Sequence, residues 1–190
     1  MASSINYQKQ LDTLIETLQR EKRIPRLLLH SCCAPCSSYV LTYLSRYFAI
    51  TVLYYNPNIA PKEEYELRKA EQIRFVREGK FQNPVDFLDC DWEPEKFAEI
   101  AKGLETVPEG GRRCFSCYEL RLRKTAELAK EHGFDYFTTT LSISPLKNAQ
   151  KLNEIGEGLA KELGVPHLPA DFKKREGNKP SILLSKEYRL

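Results

Sequence analysis

Five of the six cysteines in this chain fall in two short groups. Cys32, Cys33 and Cys36 lie within Cys32-Cys33-Ala34-Pro35-Cys36, and Cys114 and Cys117 lie within Cys114-Phe115-Ser116-Cys117. Thiols grouped in this way hold a metal or do redox work. Two Cys-x-x-Cys patterns result, Cys33 to Cys36 and Cys114 to Cys117, and each puts two sulfurs within chelating reach across one turn. Both are expected to open helices, where the positive end of the helix dipole favours thiolates, the form that binds metal.

On spacing alone, four thiolates hold zinc or a [4Fe–4S] cluster equally well. Two features lean towards a cluster. The adjacent pair Cys32-Cys33 is unusual for a zinc ribbon, whose knuckles separate their sulfurs. A ribbon would also sit on hairpins and not at the ends of buried parallel strands. Cys90 stands alone at a strand end and reads as a small hydrophobe. His30 reads as a packing or loop-orienting residue, and His132 as a favourable helix C-terminal histidine. Asp89, Asp91 and Asp171 fall at strand ends, where a carboxyl group can deliver a proton or simply form a turn.

The elements that must position these residues alternate. Residues 4–22 carry Leu11, Leu14, Ile15 and Leu18 at helical spacing. Strands are expected at 26–31, 49–55, 85–89, 136–141 and, briefly, 167–171. Helices are expected at 37–47, 62–78, 93–102, 114–131 and after Pro145, with Gly79 as a C-cap. The residues after Asp171 are basic and give no clear structural signal. This alternation predicts one α/β domain over residues 1–190, with an N-terminal helix and a basic C-terminal segment. Its mostly parallel sheet of about five strands carries helices on both faces, Rossmann-like and similar to the nucleotide α-hydrolases. Ligands of such sheets sit at the carboxyl ends of the strands. Here those ends carry the first cysteine group, Tyr55 to Asn58, Asp89 to Asp91, Thr139 to Ser144 and Asp171.

A chain of 190 residues, 29% of them charged and with a net charge of +3, suffices for one core and permits an anionic partner. No apolar run approaches the ~20 residues needed to span a bilayer. Met1 to Asn6 lacks the features of a secretory signal. The expected compartment is therefore the cytoplasm, where thiols stay reduced and clustered cysteines serve metal or catalysis.

Several motifs occur in order: His30-Ser31-Cys32-Cys33-Ala34-Pro35-Cys36, Tyr55-Asn56-Pro57-Asn58-Ile59 and Arg113-Cys114-Phe115-Ser116-Cys117, then Thr139-Thr140-Leu141-Ser142-Ile143-Ser144-Pro145 and Asp171-Phe172-Lys173-Lys174. Together, across residues 26–187, they resemble the QueH family of cobalamin-independent epoxyqueuosine reductases. The resemblance implies reduction of the epoxide of epoxyqueuosine to the cyclopentene of queuosine, at the wobble position of certain tRNAs. It implies a [4Fe–4S] cluster on Cys32, Cys33, Cys114 and Cys117. Cys36 would then be left as ligand of a second, mononuclear iron or as a proton or hydride-equivalent partner. Family members often continue past the position of Leu190 with a Tyr-Cys-Gly-Cys segment thought to be redox-active. This chain stops at Lys186-Glu187-Tyr188-Arg189-Leu190: either it is a truncated or divergent member or electrons reach the site another way, and an external electron donor is expected as a partner.

For that chemistry iron would hold the epoxide oxygen, and Asp89, Asp171 or a water would supply protons. Arg112, Arg113, Arg121, Arg123 and Lys124 flank the second cysteine pair, and Lys173, Lys174, Arg175 and Lys179 form a basic tail; both sets suit phosphates. Tyr54 and Tyr55 are candidates to stack a base, and Asn58 lies beside them. Two other functions share parts of this pattern. An iron–sulfur, ATP-dependent tRNA thiolation enzyme would need a phosphate-binding loop where the cysteines stand. A zinc-stabilised RNA-binding module would need no catalysis.

Overall fold

The computed structural model describes residues 5–175 and 178–190; Ser4, expected in the first helix, and the side chain of Arg175 fall outside this description. The apolar run Leu27 to Leu29 lies in the middle of the sheet. β1 (Arg26–His30) pairs in parallel with β2 (Ala49–Leu53) on one side and with β4 (Tyr136–Thr139) on the other. β3 (Val85–Leu88) lies outside β2, giving the order β3-β2-β1-β4, all parallel.

Strand side chains alternate between faces, so β1 feeds two cores. Leu27 and Leu29 pack with Leu11, Ile15 and Leu18 of α1 (Tyr7–Glu21), Val40 and Leu41 of α2 (Ala34–Leu44) and Phe75 of α3 (Lys62–Glu78). Leu28 joins the opposite core, with Leu122 and Ala126 of α5 (Arg112–Glu131) and Leu152 and Leu159 of α6 (Ala149–Leu163). A short helix, α4 (Pro94–Ala101), precedes α5. Gly79 ends α3 as expected, but with φ −64° it is not a left-handed cap; a side chain there would strike the ring of Phe81.

The sheet has four strands among the described residues, not about five. The stretch 167–171 makes a single parallel bridge, Phe137 to His167. Pro169 has no N–H to offer a ladder. Beyond it, Asn153 takes both backbone groups of Ala170: Oδ1 accepts from its N–H at 3.0 Å, and Nδ2 donates to its carbonyl at 2.8 Å. A side chain thus replaces the missing strand neighbour.

The basic C-terminal segment is also ordered into structure, as α7 (Asn178–Tyr188) packed on α2. Ser181 Oγ donates to the carbonyl of Pro35 at 2.8 Å, so α7 touches the helix that carries the first cysteine group. Among the described residues, no helix is long and apolar enough to cross a membrane.

Candidate metal centre

The chain leaves β1 and crosses to β2 on one side, while β4 returns on the other. The crevice between the carboxyl ends of β1 and β4 is therefore the switch point where such sheets bind ligands. Cys32 stands in it. Its N–H donates to Thr140 Oγ1 at 3.2 Å, and the Thr140 hydroxyl donates to Cys32 Sγ at 3.4 Å. Around this loop the neighbouring strand ends are tied in. Asn56 Nδ2 donates to the carbonyl of Ser31 at 2.9 Å. His30, fully buried, donates from Nε2 to the carbonyl of Tyr55 at 3.0 Å. A carbonyl can only accept, so Nε2 carries the proton and Nδ1 accepts from the Thr139 hydroxyl at 2.9 Å. Burial, then the nearby Arg121 cation, push the His30 pKa down to about 4, in keeping with this neutral tautomer.

Cys33 caps α2 and Pro35 lies in its first turn, the position where a missing N–H costs nothing. This sharp start turns three sulfurs inward. The Sγ atoms of Cys32, Cys33 and Cys36 all lie within 4.8 Å of one another, and Cys32 and Cys33 are 3.9 Å apart. Two thiolates on one tetrahedral ion at ~2.3 Å would be about 3.8 Å apart, so the triad is compact enough to share a metal. Its electrostatics point the same way. Hydrogen bonds from the Cys33 and Cys36 thiols hold Cys32 well below the ordinary thiol range, and those two thiols are correspondingly raised, Cys33 to about 12. Cys32 is thus the sulfur most easily ionised of the three, and a cation would favour ionisation of the others.

Cys114 and Cys117 are not part of that triad. They occupy the first turns of α5, whose N-cap is Gly111, and Gly110 N–H donates to Cys114 Sγ at 3.3 Å. Both line a cavity of about 410 Å³ shared with Asn58, Phe97, Arg113, Tyr118, Arg121 and the ion pair of Glu109 with Lys147. All six cysteines are free of disulfides.

The remaining expected residues separate into groups. Asn58 and Arg113 line the cavity, and the exposed Arg112 lies next to it in sequence. Tyr54 and Tyr55 are each 1% exposed, so their rings belong to the core and offer no free face. Asp89 is exposed and paired with Lys69 at 2.5 Å, on the wall of a second cavity with Cys90, Asp91 and Trp92. Asp171 is buried, with Lys173 Nζ 3.9 Å from its Oδ1. Lys173 also donates to the carbonyl of Lys147, and the exposed Lys174 donates to Asn6 Oδ1 at 3.4 Å. Cys90 donates its thiol to the carbonyl of Tyr54 at 3.3 Å and is pushed up to about 12 by burial, as an inert thiol should be.

Gln72 and the bridging role of Asn56 are invisible to a motif reading. Gln72, buried on α3, accepts from Ser31 Oγ at 2.7 Å and Ser37 Oγ at 3.0 Å, bracing both ends of the cysteine loop. The one available signal was a polar residue at an inward position of α3, between Lys69 and Phe75.

The chain is similar to known proteins over most of its length. The family model described as epoxyqueuosine reductase QueH matches residues 27–190. A protein of Staphylococcus epidermidis with the same name is 44% identical over 98% of this chain and 80% of its own length. Its namesake in Streptococcus pyogenes is 43% identical over 97% of this chain and 73% of its own length. That of Haemophilus influenzae is 41% identical over 86% of this chain and 66% of its own length.

Proposed function

Because this chain belongs to the epoxyqueuosine reductase QueH family, we propose that it reduces epoxyqueuosine in tRNA to queuosine. The reaction takes two electrons and two protons; both C–O bonds of the epoxide are lost, an alkene forms and the oxygen leaves as water. The observation that carries this reading is the cysteine group at the switch point, Cys32, Cys33 and Cys36, tied through Ser31, Asn56 and Arg121 to the cavity that Cys114 and Cys117 line.

The donor set fits an iron–sulfur group: soft thiols free of disulfides, three of them already gathered, with Cys32 held well below the ordinary thiol range. Cys32, Cys33, Cys114 and Cys117 would hold a [4Fe–4S] cluster, and Cys36 would serve a mononuclear iron beside it or a proton transfer. Bound there, such a group supplies electrons singly and a Lewis acid for oxygen. The rest is the work of the chain. Thr140 holds Cys32 through both its backbone and its sulfur, and His30 stays neutral and locks the strand ends. Asp171, buried beside Lys173, and Asp89 are the carboxyl groups at this edge from which protons can come.

The cavity of about 410 Å³ lies within the usual range for small-ligand sites and suits one extruded nucleoside. Phe97 gives it an apolar wall, and Asn58, Arg113 and Lys147 give it polar ones. Arg112, Arg113, Lys173 and Lys174 then meet the tRNA phosphates, and Tyr55 supports the site from the core through its carbonyl. Electrons come from an external donor, and the work is cytoplasmic, where tRNA and reduced thiols are found.

The test is mass spectrometry of nucleosides from epoxyqueuosine-containing tRNA after anaerobic incubation with iron- and sulfide-reconstituted protein and a low-potential reductant. Appearance of queuosine is expected. Unchanged epoxyqueuosine with cluster-loaded protein would refute the reading.

A further inference from the structure

Arg121 is only 5% exposed, and no carboxylate of the described residues forms an ion pair with it. Its neighbours Arg123 and Lys124, on the same helix, both have acidic partners in Glu162 and Glu93. Arg121 has two neutral acceptors instead. Nε donates to the carbonyl of Cys117 at 3.3 Å, and Nη1 donates to Asn56 Oδ1 at 3.4 Å. Asn56 in turn holds the carbonyl of Ser31, the residue before Cys32. The guanidinium therefore stands between the two cysteine-bearing segments, and it forms part of the wall of the cavity that Cys114 and Cys117 line.

A buried cation without a counter-charge costs several kcal/mol unless something anionic completes the site. Two of the five guanidinium N–H groups are used by the contacts above, which leaves donors for the cavity. The position also has a simple origin. Arg121 is one turn after Cys117 on α5, and helical side chains lean towards the N-terminus, so the charge is carried back over the cysteine pair.

We propose that Arg121 is a positioning residue of the metal centre: it sets the spacing between the Cys117 turn and the Cys32 loop, and it is the fixed counter-cation of a thiolate-bound, net-negative cluster. This rests on the iron–sulfur reading above. A fixed positive charge stabilises the more reduced, more negative state, so it raises the reduction potential. The site is thereby made easier to reduce by the external donor, and the buried charge that the apo protein leaves unpaired finds its partner.

The experiment is an anaerobic redox titration of reconstituted protein, followed by electron paramagnetic resonance, with iron and sulfide measured per chain. Arg121→Gln removes the charge and is expected to shift the midpoint potential to more negative values. Arg121→Lys keeps the charge but cannot span Cys117 and Asn56 with one planar fork. Its potential should stay near that of the wild type while its iron loading falls. Equal potentials for wild type and Arg121→Gln, at equal iron content, would overturn the proposal. If Arg121→Gln does not fold, Arg121→Lys decides: a potential well below wild type refutes the charge role, and wild-type loading refutes the spacing role. A wild-type protein that takes up neither iron nor sulfide overturns both this inference and the reading beneath it; the titration results overturn this inference alone.

Discussion

His30 Nε2 donates to the carbonyl of Tyr55 at 3.0 Å, so the last residue of β1 is fixed to the chain just past β2 by a ring that must stay neutral. The folded ring titrates at about 4 because burial opposes its charge. An unfolded histidine titrates near 6.5. Between these values the unfolded chain takes up a proton that the folded chain refuses. Stability is therefore complete above about pH 6.5 and is lost as the pH falls towards 4, by an amount on the order of 3 kcal/mol. Burial lowers His167 to about 3 and adds in the same direction. Urea midpoints of the apo protein should fall between pH 7.5 and pH 5. In His30→Gln the midpoint should be lower at pH 7.5, with a smaller fall towards pH 5. A wild-type midpoint independent of pH over this range would contradict the neutral-ring assignment.

Gln72 braces the cysteine loop through Ser31 and Ser37. Gln72→Ala takes the shared acceptor from two buried hydroxyls, which is expected to cost roughly 1–3 kcal/mol. The loss should appear in urea unfolding of the apo protein and, because the loop is loosened, as lower iron uptake on reconstitution. An unfolding midpoint equal to wild type would show that the brace is idle.

The cysteines should divide by role. Cys90, raised to about 12, stays a thiol at neutral pH and faces the carbonyl of Tyr54. Cys90→Ala should leave iron per chain unchanged, whereas Cys114→Ala and Cys33→Ala should each lower it severely. In the apo protein, Cys32, as the lowered thiol, should react with iodoacetamide well before Cys90. Iron assay reads the first result and peptide mass mapping the second; iron loss in Cys90→Ala would require a different ligand set.

Gly156 of α6 lies against the ring of His167, where a methyl group would come within 2.4 Å of it. Alanine is the better helix former by ~1 kcal/mol, yet Gly156→Ala should destabilise the protein, because the His167 ring also packs against Phe137. A rise in thermal midpoint would mean that the ring moves aside freely.

Arg113 and Lys174 are proposed above to meet tRNA phosphates. Each of Arg113→Gln and Lys174→Gln should weaken tRNA binding and reduce the slope of log affinity against log salt by about 1. Filter binding at several salt concentrations measures this; unchanged slopes would remove these residues from the tRNA contact.

The sequence by itself determined the class of sheet, the placing of both cysteine groups at helix starts and the chemistry those thiols allow. Periodicity and residue type are local, and Leu27 to Leu29 or Cys33-Ala34-Pro35-Cys36 carry them without reference to the rest of the chain. Only the tertiary structure decided which groups meet. The fifth strand vanished because Asn153, from a helix, satisfies Ala170. Tyr54 and Tyr55 became core because helices cover the strand end they occupy. Cys36 turned in beside Cys32 and Cys33 because α2 starts right after Cys33, with Pro35 in its first turn. In sequence, Arg121 is one of several basic residues by the second cysteine pair suited to phosphates, yet it is buried. Its burial between Cys117 and Asn56 depends on residues 65 positions apart closing on each other, and no local pattern records such a contact.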